Sequence, residues 1–340
     1  MRSSFVNGPI MRLENIPLDQ AIGAILVHNI VGADGHKAFA KGRALSAEDI
    51  GKLRALGRQT VYAAILEPGD VREDDAAARL ARAVAGDGIE LSKPSGGRVN
   101  FYATQRGFLR VNRDALRRIN ELNGVTLATI PRYSRLAPRQ MIATLKTIGL
   151  ALPEKTLRQA EEIAREMGAA LGIATISHSR VAIILTGSAN GRAKTQQTFA
   201  PPIRARVEEL GAQVVSEDYV GEDEAAIANA IDAAVRGGAQ LILLAGETSV
   251  MDEEDITPRG ITRAGGAIEL YGAPVEPGNL LLLAYRGAVP IVGAPGCIKS
   301  RATNVVDLIL PRLLIGERVT RADVNAMAEG GLLQRMKGEG

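Results

Sequence analysis

Three short stretches hold residue types that could do chemistry on a small ligand. They are "LTGSANG" (Leu185 to Gly191), "LAGETSVMDEED" (Leu244 to Asp255) and "VPIVGAPGCIKS" (Val289 to Ser300). Each puts glycine beside small polar residues directly after an apolar run. Glycine lets a backbone approach a ligand closely, and exposed N–H groups at a following helix start favour an anion. One such loop is weak support, because a turn-making glycine is more often structural. Three of them after the strands of one βα domain weigh more, because a parallel sheet brings those ends to one edge. The second stretch adds Asp252, Glu253, Glu254 and Asp255. Their plain reading is an N-cap followed by an acidic first helical turn. Their functional reading makes Asp252 or Asp255 a cation ligand or an acceptor for a polar ring, and the two readings are compatible. The third stretch contains the only cysteine, Cys297, with no His or Asn partner near it in sequence, which disfavours a nucleophile. His28, His36 and His178 lie far apart with no metal spacing.

The elements that would position these loops are legible from Arg180 onward. "RVAIILTG", "AQVVSEDYV", "AQLILLAG" and the pair within "LLLLAYRGAVPIVGAPG" read as strands, with helices "FAPPIRARVEELG", "EDEAAIANAIDAAVRGG", "EEDITPRGITRAGG" and "RATNVVDLILPRLLIG". The first of these helices reads as having proline in its first turn and glycine just past its end. Strand–helix alternation implies βαβ units and a parallel sheet. The expected fold class is therefore α/β: a three-layer α/β/α domain with a mostly parallel sheet, preceded by a smaller α+β and β-rich N-terminal region. Four divisions are expected: an α+β region over 1–88, a β-rich subdomain over 89–153, the α/β domain over 154–318, and a tail over 319–340. In the first, Ser46 with Asp49 forms a near capping box for a helix closed by Gly57. In the second, "IELSKPSGGRVNFYATQRGFLRVNRDAL" reads as β-hairpins, with the stretch around Arg98 a candidate ligand or subunit surface. "EKTLRQAEEIAREMGAALG", apolar at Leu157, Ala160, Ile163, Ala164 and Met167, reads as a helix leading into the α/β domain.

The chain has 340 residues, 46% hydrophobic and 23% charged, with a net charge of +3, so it is long enough for two or three cores. No basic stripe is interleaved with aromatics, so no nucleic-acid partner is expected. A single cysteine rules out a disulfide framework and a CxxC zinc site. No apolar run reaches the roughly 20 residues of a membrane span, and no secretory signal is indicated, so the expectation is a cytoplasmic protein without a membrane partner.

In order and spacing, the loops resemble the molybdopterin-binding domain of molybdopterin molybdotransferases and gephyrin-type proteins, which also occurs in molybdopterin adenylyltransferases. The resemblance covers about residues 180–317. The family's first loop, Thr-Gly-acid-acid, is matched by Thr186, Gly187 and Ser188, with Ala189 as the fourth residue. Its Gly-Gly-x-Ser loop is matched by Gly246, Glu247, Thr248 and Ser249, with Asp255 or Glu254 as the later acid. Its Pro-Gly element is matched by Pro277 and Gly278, and its Gly-Leu-Pro-Gly-Asn-Pro-x-Ser loop by Gly293, Pro295, Gly296, Cys297, Lys299 and Ser300. The resemblance implies a pterin phosphate ligand, molybdopterin or the molybdenum cofactor, bound by these residues. Lys299 or Lys194 would neutralise the phosphate. It further implies Asp252 and Asp255 as catalytic carboxylates and as ligands of magnesium or of associated molybdate, partner proteins of molybdenum-cofactor biosynthesis, and a homo-oligomer.

The departures matter. The first loop offers Ser188 and Asn190 where the family has two acids, while Asp252 to Asp255 remain acidic. Pterin and phosphate binding therefore survives the comparison better than metal transfer, which needs carboxylates to place a cation. Three functions remain open at this point. The first is molybdopterin binding in molybdenum-cofactor biosynthesis, extending to a transferase that inserts molybdate into free or adenylylated molybdopterin. The second is a non-catalytic carrier or sensor using the same pocket. The third is an unrelated α/β enzyme for a phosphorylated metabolite.

Overall fold

A computed structural model describes residues 12–32, 34–247, 252 and 254–333. The chain divides into two units, Met1–Ile173 and Ala174–Gly340. Unit 1 begins with a three-stranded antiparallel sheet of Arg12–Pro17, Thr60–Ile65 and Ile25–Leu26. The helix Ala47–Ala55 belongs to the same part, and Ile50 and Leu53 join Ile16, Leu26 and Val61 in its small core. Ser46 and Asp49 form the full reciprocal capping box, and Asp49 also accepts two hydrogen bonds from Arg43 at 2.8 and 2.9 Å.

The rest of unit 1 is a four-stranded antiparallel sheet, ordered Val125–Thr129, Met141–Thr147, Arg98–Ala103, Ile89–Leu91. A second core joins it to three helices, Glu73–Val84, Arg113–Asn120 and Glu154–Met167. Two of these differ from the sequence reading. The stretch read as continuous hairpins contains the start of the helix Arg113–Asn120, capped by Asn112, whose side chain accepts the Ala115 N–H. The helix Glu154–Met167, expected to lead the following domain, lies in unit 1. Its apolar stripe of Leu157, Ala160 and Ile163 is buried with Ala77 and Leu80. Arg79 fastens it from the neighbouring helix, bonding Glu154 at 2.6 Å and Glu161 at 2.9 Å.

Unit 2 carries a six-stranded sheet, labelled in chain order within the unit: β1 (Arg180–Thr186), β2 (Gln213–Val220), β3 (Leu241–Gly246), β4 (Ala267–Tyr271), β5 (Leu282–Arg286) and β6 (Val289–Gly293). Its order is β2-β1-β3-β6-β5-β4. The first four strands run parallel, and β5 is antiparallel to both its neighbours. The helices are α1 (Arg192–Glu209), α2 (Glu224–Arg236), α3 (Ile256–Arg263) and α4 (Val305–Leu314).

The layering follows from the period of the strands. Along β1, Val181, Ile183 and Leu185 join Phe199 and Ile203 of α1 and Ile309 and Leu313 of α4. Ala182 and Ile184 face the other way, with Ile227 and Ile231 of α2 and Ile261 of α3. A strand buried on both faces must be apolar throughout, which is why β1 and β3 read as uninterrupted apolar runs. Each fully buried Ile or Leu contributes about 1.5–3 kcal/mol. The expected three-layer α/β/α domain with a mostly parallel sheet is present. Val319 and Val324, in the expected tail, are buried in the same core as α4.

Two local differences occur in unit 2. Pro201 and Pro202 lie inside α1, which starts nine residues before the first of them, at Arg192. Arg206 donates to the carbonyl of Pro202 at 3.2 Å, and Thr198 donates its hydroxyl to Lys194 at 2.7 Å. The strand β4, unmarked by any apolar run, completes the edge by pairing with β5.

Asp49 yields a prediction. The Arg43 hydrogen bond and the Ser46 contacts, outweighing burial, hold its carboxyl at about 2, below the ordinary 3.8. A depressed folded value stabilises above 3.8, and the stabilisation is lost as pH falls through about 2. Asp49→Asn should therefore cost about 1–2 kcal/mol near neutral pH. In thermal melts, the gap between variant and parent should close as the pH is lowered from about 6 towards 2.

Candidate functional site

The sheet register brings the three glycine-bearing loops together. Thr186, the last residue of β1, pairs with Gly246, the last of β3. Leu244 of β3 pairs with Gly293, the last of β6. All three strands are parallel, so all three loops leave from one edge, where ligands of open α/β sheets bind. Backbone bonds continue past the strands: Glu247 N–H to Thr186 O at 3.1 Å, and Ala294 N–H to Leu244 O at 2.7 Å. Gly246 is required where it stands, since a Cβ there would run into the Thr186 side chain and lie 2.8 Å from its carbonyl oxygen.

In the first loop, Thr186 and Gly187 are buried and Ser188 is exposed. Ser188 caps a single 3-10 turn, Ala189–Gly191, by accepting the Gly191 N–H at 3.1 Å, and α1 follows at once. In the second loop, the Glu247 side chain crosses to the first. Its carboxylate accepts from Thr195 Oγ1 at 2.7 Å, from Ser188 Oγ at 3.3 Å and from Ser188 N–H at 3.4 Å. The Thr195 bond, chiefly, holds the Glu247 carboxyl below the usual range. Tyr219, at the end of β2, donates to Ser188 O at 2.6 Å, and Arg192 lies over its ring, 5.5 Å from the centroid. Burial and the Glu247 charge push the Tyr219 phenol up.

Thr248 and Ser249, expected to contact the ligand, lie outside the described residues. Asp252 and Asp255 are described, and their carboxylates serve their own turn. Asp255 Oδ2 accepts the Asp252 N–H at 3.1 Å, and Asp252 Oδ1 accepts the Glu254 N–H at 2.8 Å. Among the described residues, no group of three or more His, Cys, Asp or Glu is placed to hold a metal ion. Glu253, the remaining acid of that stretch, lies outside the described residues.

The third loop is a 3-10 turn, Gly296–Lys299, following buried Pro295 and ending at Ser300. Lys299 and Lys194 are exposed. Cys297 is half-buried, and burial pushes its thiol up, so the sulfur stays protonated near neutral pH. Pro277 and Gly278 meet the start of α4: Val305 N–H donates to Pro277 O at 3.1 Å, and a Gly278 Cβ would lie 2.7 Å from Val305 Cβ.

What fixes the third loop is a residue that the sequence reading passed over. Arg206 of α1 is 4% exposed. Its guanidinium donates to the carbonyls of Ile298 (3.1 Å), Ser300 (2.7 Å) and Ala302 (3.0 Å), and to Asp307 at 2.9 Å. The planar fork of five donors suits this divergent set of acceptors, which an ammonium could not span. The signal was present in the sequence: Arg206 follows Phe199 and Ile203 at the spacing of one helix face, so it stands in the buried stripe of α1. Thr195, also buried, and Tyr219 carried no comparable signal.

Arg206→Met keeps the apolar stem and removes the fork. It should destabilise the chain by about 2–4 kcal/mol in denaturant titration, because carbonyls and Asp307 lose their partner. Arg206→Lys should recover only a minor part.

Residues 182–314 match a family model described as "Probable molybdopterin binding domain". Residues 15–65 match one described as a domain of unknown function. No curated protein sequence matches the chain. Among solved structures, the protein CinA with unknown function from Thermoplasma acidophilum is 16% identical, with a TM-score of 0.33, covering 40% of this chain and 98% of that one. The molybdopterin biosynthesis enzyme MoaB from Thermus thermophilus is 22% identical, with a TM-score of 0.32, covering 46% and 99%. A molybdopterin biosynthesis protein from Mycobacterium abscessus is 18% identical, with a TM-score of 0.30, covering 41% and 91%. No helix among the described residues is long and apolar enough to cross a membrane. Over residues 182–314, this chain is thus similar to a probable molybdopterin-binding domain.

Proposed function

We propose that unit 2 binds molybdopterin, or the finished cofactor, at the edge formed by Thr186–Ser188, Gly246–Glu247 and Gly293–Ser300. The reading rests on one observation above the others: the register of β1, β3 and β6 sets three loops side by side at the parallel strand ends. The Gly296–Ser300 turn, held from behind by Arg206 through Ile298 and Ser300, offers backbone groups to the pterin and its phosphate. Pro277 and Gly278 stand against the start of α4, and Lys299 or Lys194 supplies the neutralising charge. Cys297 sits at the mouth as a small, protonated side chain and takes no covalent role.

Within this reading, holding and presenting the pterin is better supported than inserting molybdate. Insertion calls for carboxylates that place a cation and activate the oxyanion. Here the first loop has Ser188 and Asn190 in place of the acids of the related pattern, and Asp252 and Asp255 are turned onto their own backbone. A chain with this site serves as a carrier that passes its ligand to a partner protein of the same synthesis.

Calorimetry with molybdopterin and with its adenylylated form tests the binding. Saturable binding that survives Cys297→Ser is expected, and absence of binding to either ligand would overturn the reading. A single-turnover assay with molybdate and magnesium separates carrier from transferase. The carrier reading expects bound molybdopterin to remain metal-free, and stoichiometric insertion would contradict it.

A further inference from the structure

Unit 1 carries a basic surface that the pterin reading does not use. Residues 91–113 and 122–153 contain no Asp or Glu, while the first run holds five Lys or Arg and the second four. The chain as a whole has a net charge of +3, so its remainder is acidic on balance. The fold lays the two runs against each other. The strand Arg135–Leu136 pairs antiparallel with Gly107–Val111, Arg135 opposite Phe108 and Leu136 opposite Gly107. On either side of that pairing, Tyr133 N–H donates to Leu109 O and Arg139 N–H to Ala103 O, both at 2.7 Å. Arg106, Arg132, Arg135 and Arg139 are thus gathered along one hairpin and the segment that covers it. Arg106, Arg135 and Arg139 are exposed, and their side chains make no hydrogen bond or ion pair among the described residues. Arg132 lies over the Tyr133 ring, 5.1 Å from the centroid.

The backbone beneath this surface is set at a cost. Two turns, Pro131 to Ser134 and Ala137 to Gln140, are closed by Ser134 N–H to Pro131 O at 3.3 Å and Gln140 N–H to Ala137 O at 3.2 Å. Their third residues, Tyr133 and Arg139, have φ of 64° and 67°, in the left-handed region that favours glycine. Among the described residues, no other non-glycine residue has a positive φ. At Arg139 the fold gains nothing from the side chain that glycine would not supply. Strain under an exposed group that holds nothing inside the fold points to a partner outside it. We propose that this surface docks an acidic segment of a partner protein, whose carboxylates enter the guanidinium forks of Arg106, Arg135 and Arg139. The proposal goes beyond the pterin reading and does not depend on it. Arginine at all three positions suits carboxylates held in a fixed geometry, whereas lysine would serve a diffuse anionic lipid surface as well. A nucleic-acid strand would want free aromatic faces for its bases, and the Tyr133 ring is covered by Arg132. The acidic clusters of the chain itself are engaged: Glu73 with Lys146, Asp74 with the Gly97 amide, Asp252 with the Glu254 amide and Asp255 with the Asp252 amide. That favours another protein over a second copy as the occupant.

The probe is a capped poly-glutamate peptide of about eight residues, long enough when extended to lie along both turns. Calorimetric titration of the full chain at about 0.15 M salt, where distant surface charges are screened, reads affinity. The proposal expects saturable binding that weakens about tenfold or more when Arg135→Glu and Arg139→Glu are combined. An equal change of charge elsewhere in unit 1, Arg117→Glu with Arg165→Glu, should shift it less than about threefold. Those two arginines are exposed and already paired, with Glu121 and Glu162. The amides of Arg106, Arg135 and Arg139 should move on binding. Arg139→Gly removes the side chain and relieves the backbone, so it should weaken binding while melting no lower than wild type. No saturable binding, equal weakening by the control pair, or a lowered melting temperature for Arg139→Gly would overturn the proposal. So would tighter binding to a DNA duplex or to phosphatidylserine vesicles than to the peptide. Self-association of the wild type that the Arg135→Glu, Arg139→Glu pair abolishes would overturn it in favour of a second copy.

Discussion

Thr186 and Gly246 end adjacent parallel strands in register, and Gly246 has no room for a side chain beside the Thr186 carbonyl. The rest of the site depends on that close pairing. It fixes the exit of the first and second loops to a single point, and the pairing of Leu244 with Gly293 adds the third. The register cannot slip. Both faces of β1 and β3 are buried, and a shift of one residue would exchange the two apolar sets for one another across the sheet. The hydrophobic layers therefore decide which backbone groups face a ligand.

Two charged side chains then set the loops, with opposite consequences. Arg206 is buried, bound on several sides to carbonyls of the third loop, and immobile. Glu247 is exposed, bound mainly through Thr195, and sits on the first loop. A buried charge in a full set of hydrogen bonds fixes a shape, whereas an exposed one with long bonds exchanges easily with solvent or ligand. The third loop is in this sense preorganised, and the first is conditional.

Much of unit 2 was legible because its period is simple. Continuous apolar runs marked β1 and β3, the Arg286-Gly287 turn marked the hairpin of β5 and β6, and glycines marked the three loops. What escaped had local signals pointing elsewhere. Pro201 and Pro202 looked like a helix start, yet α1 begins at Arg192 behind a Ser188-capped turn. The edge strand β4 has mixed composition and is decided by its pairing with β5. The helix Glu154–Met167 has an apolar stripe that any neighbour could cover, and Arg79, far away in sequence, settles which one does. In the site, residue types and spacing named the loops. The crossing of Glu247 to Thr195 and the Arg206 clamp are long-range contacts that no local pattern encodes.

The central claim is that the loops at the ends of β1, β3 and β6 form one pterin site. A crystal structure of the chain grown with molybdopterin tests it most directly. The account predicts the pterin and its phosphate at that edge, in contact with the Gly293–Ser300 loop, with Arg206 unmoved behind Ile298 and Ser300. A ligand bound in unit 1, or on unit 2 away from all three strand ends, would contradict it.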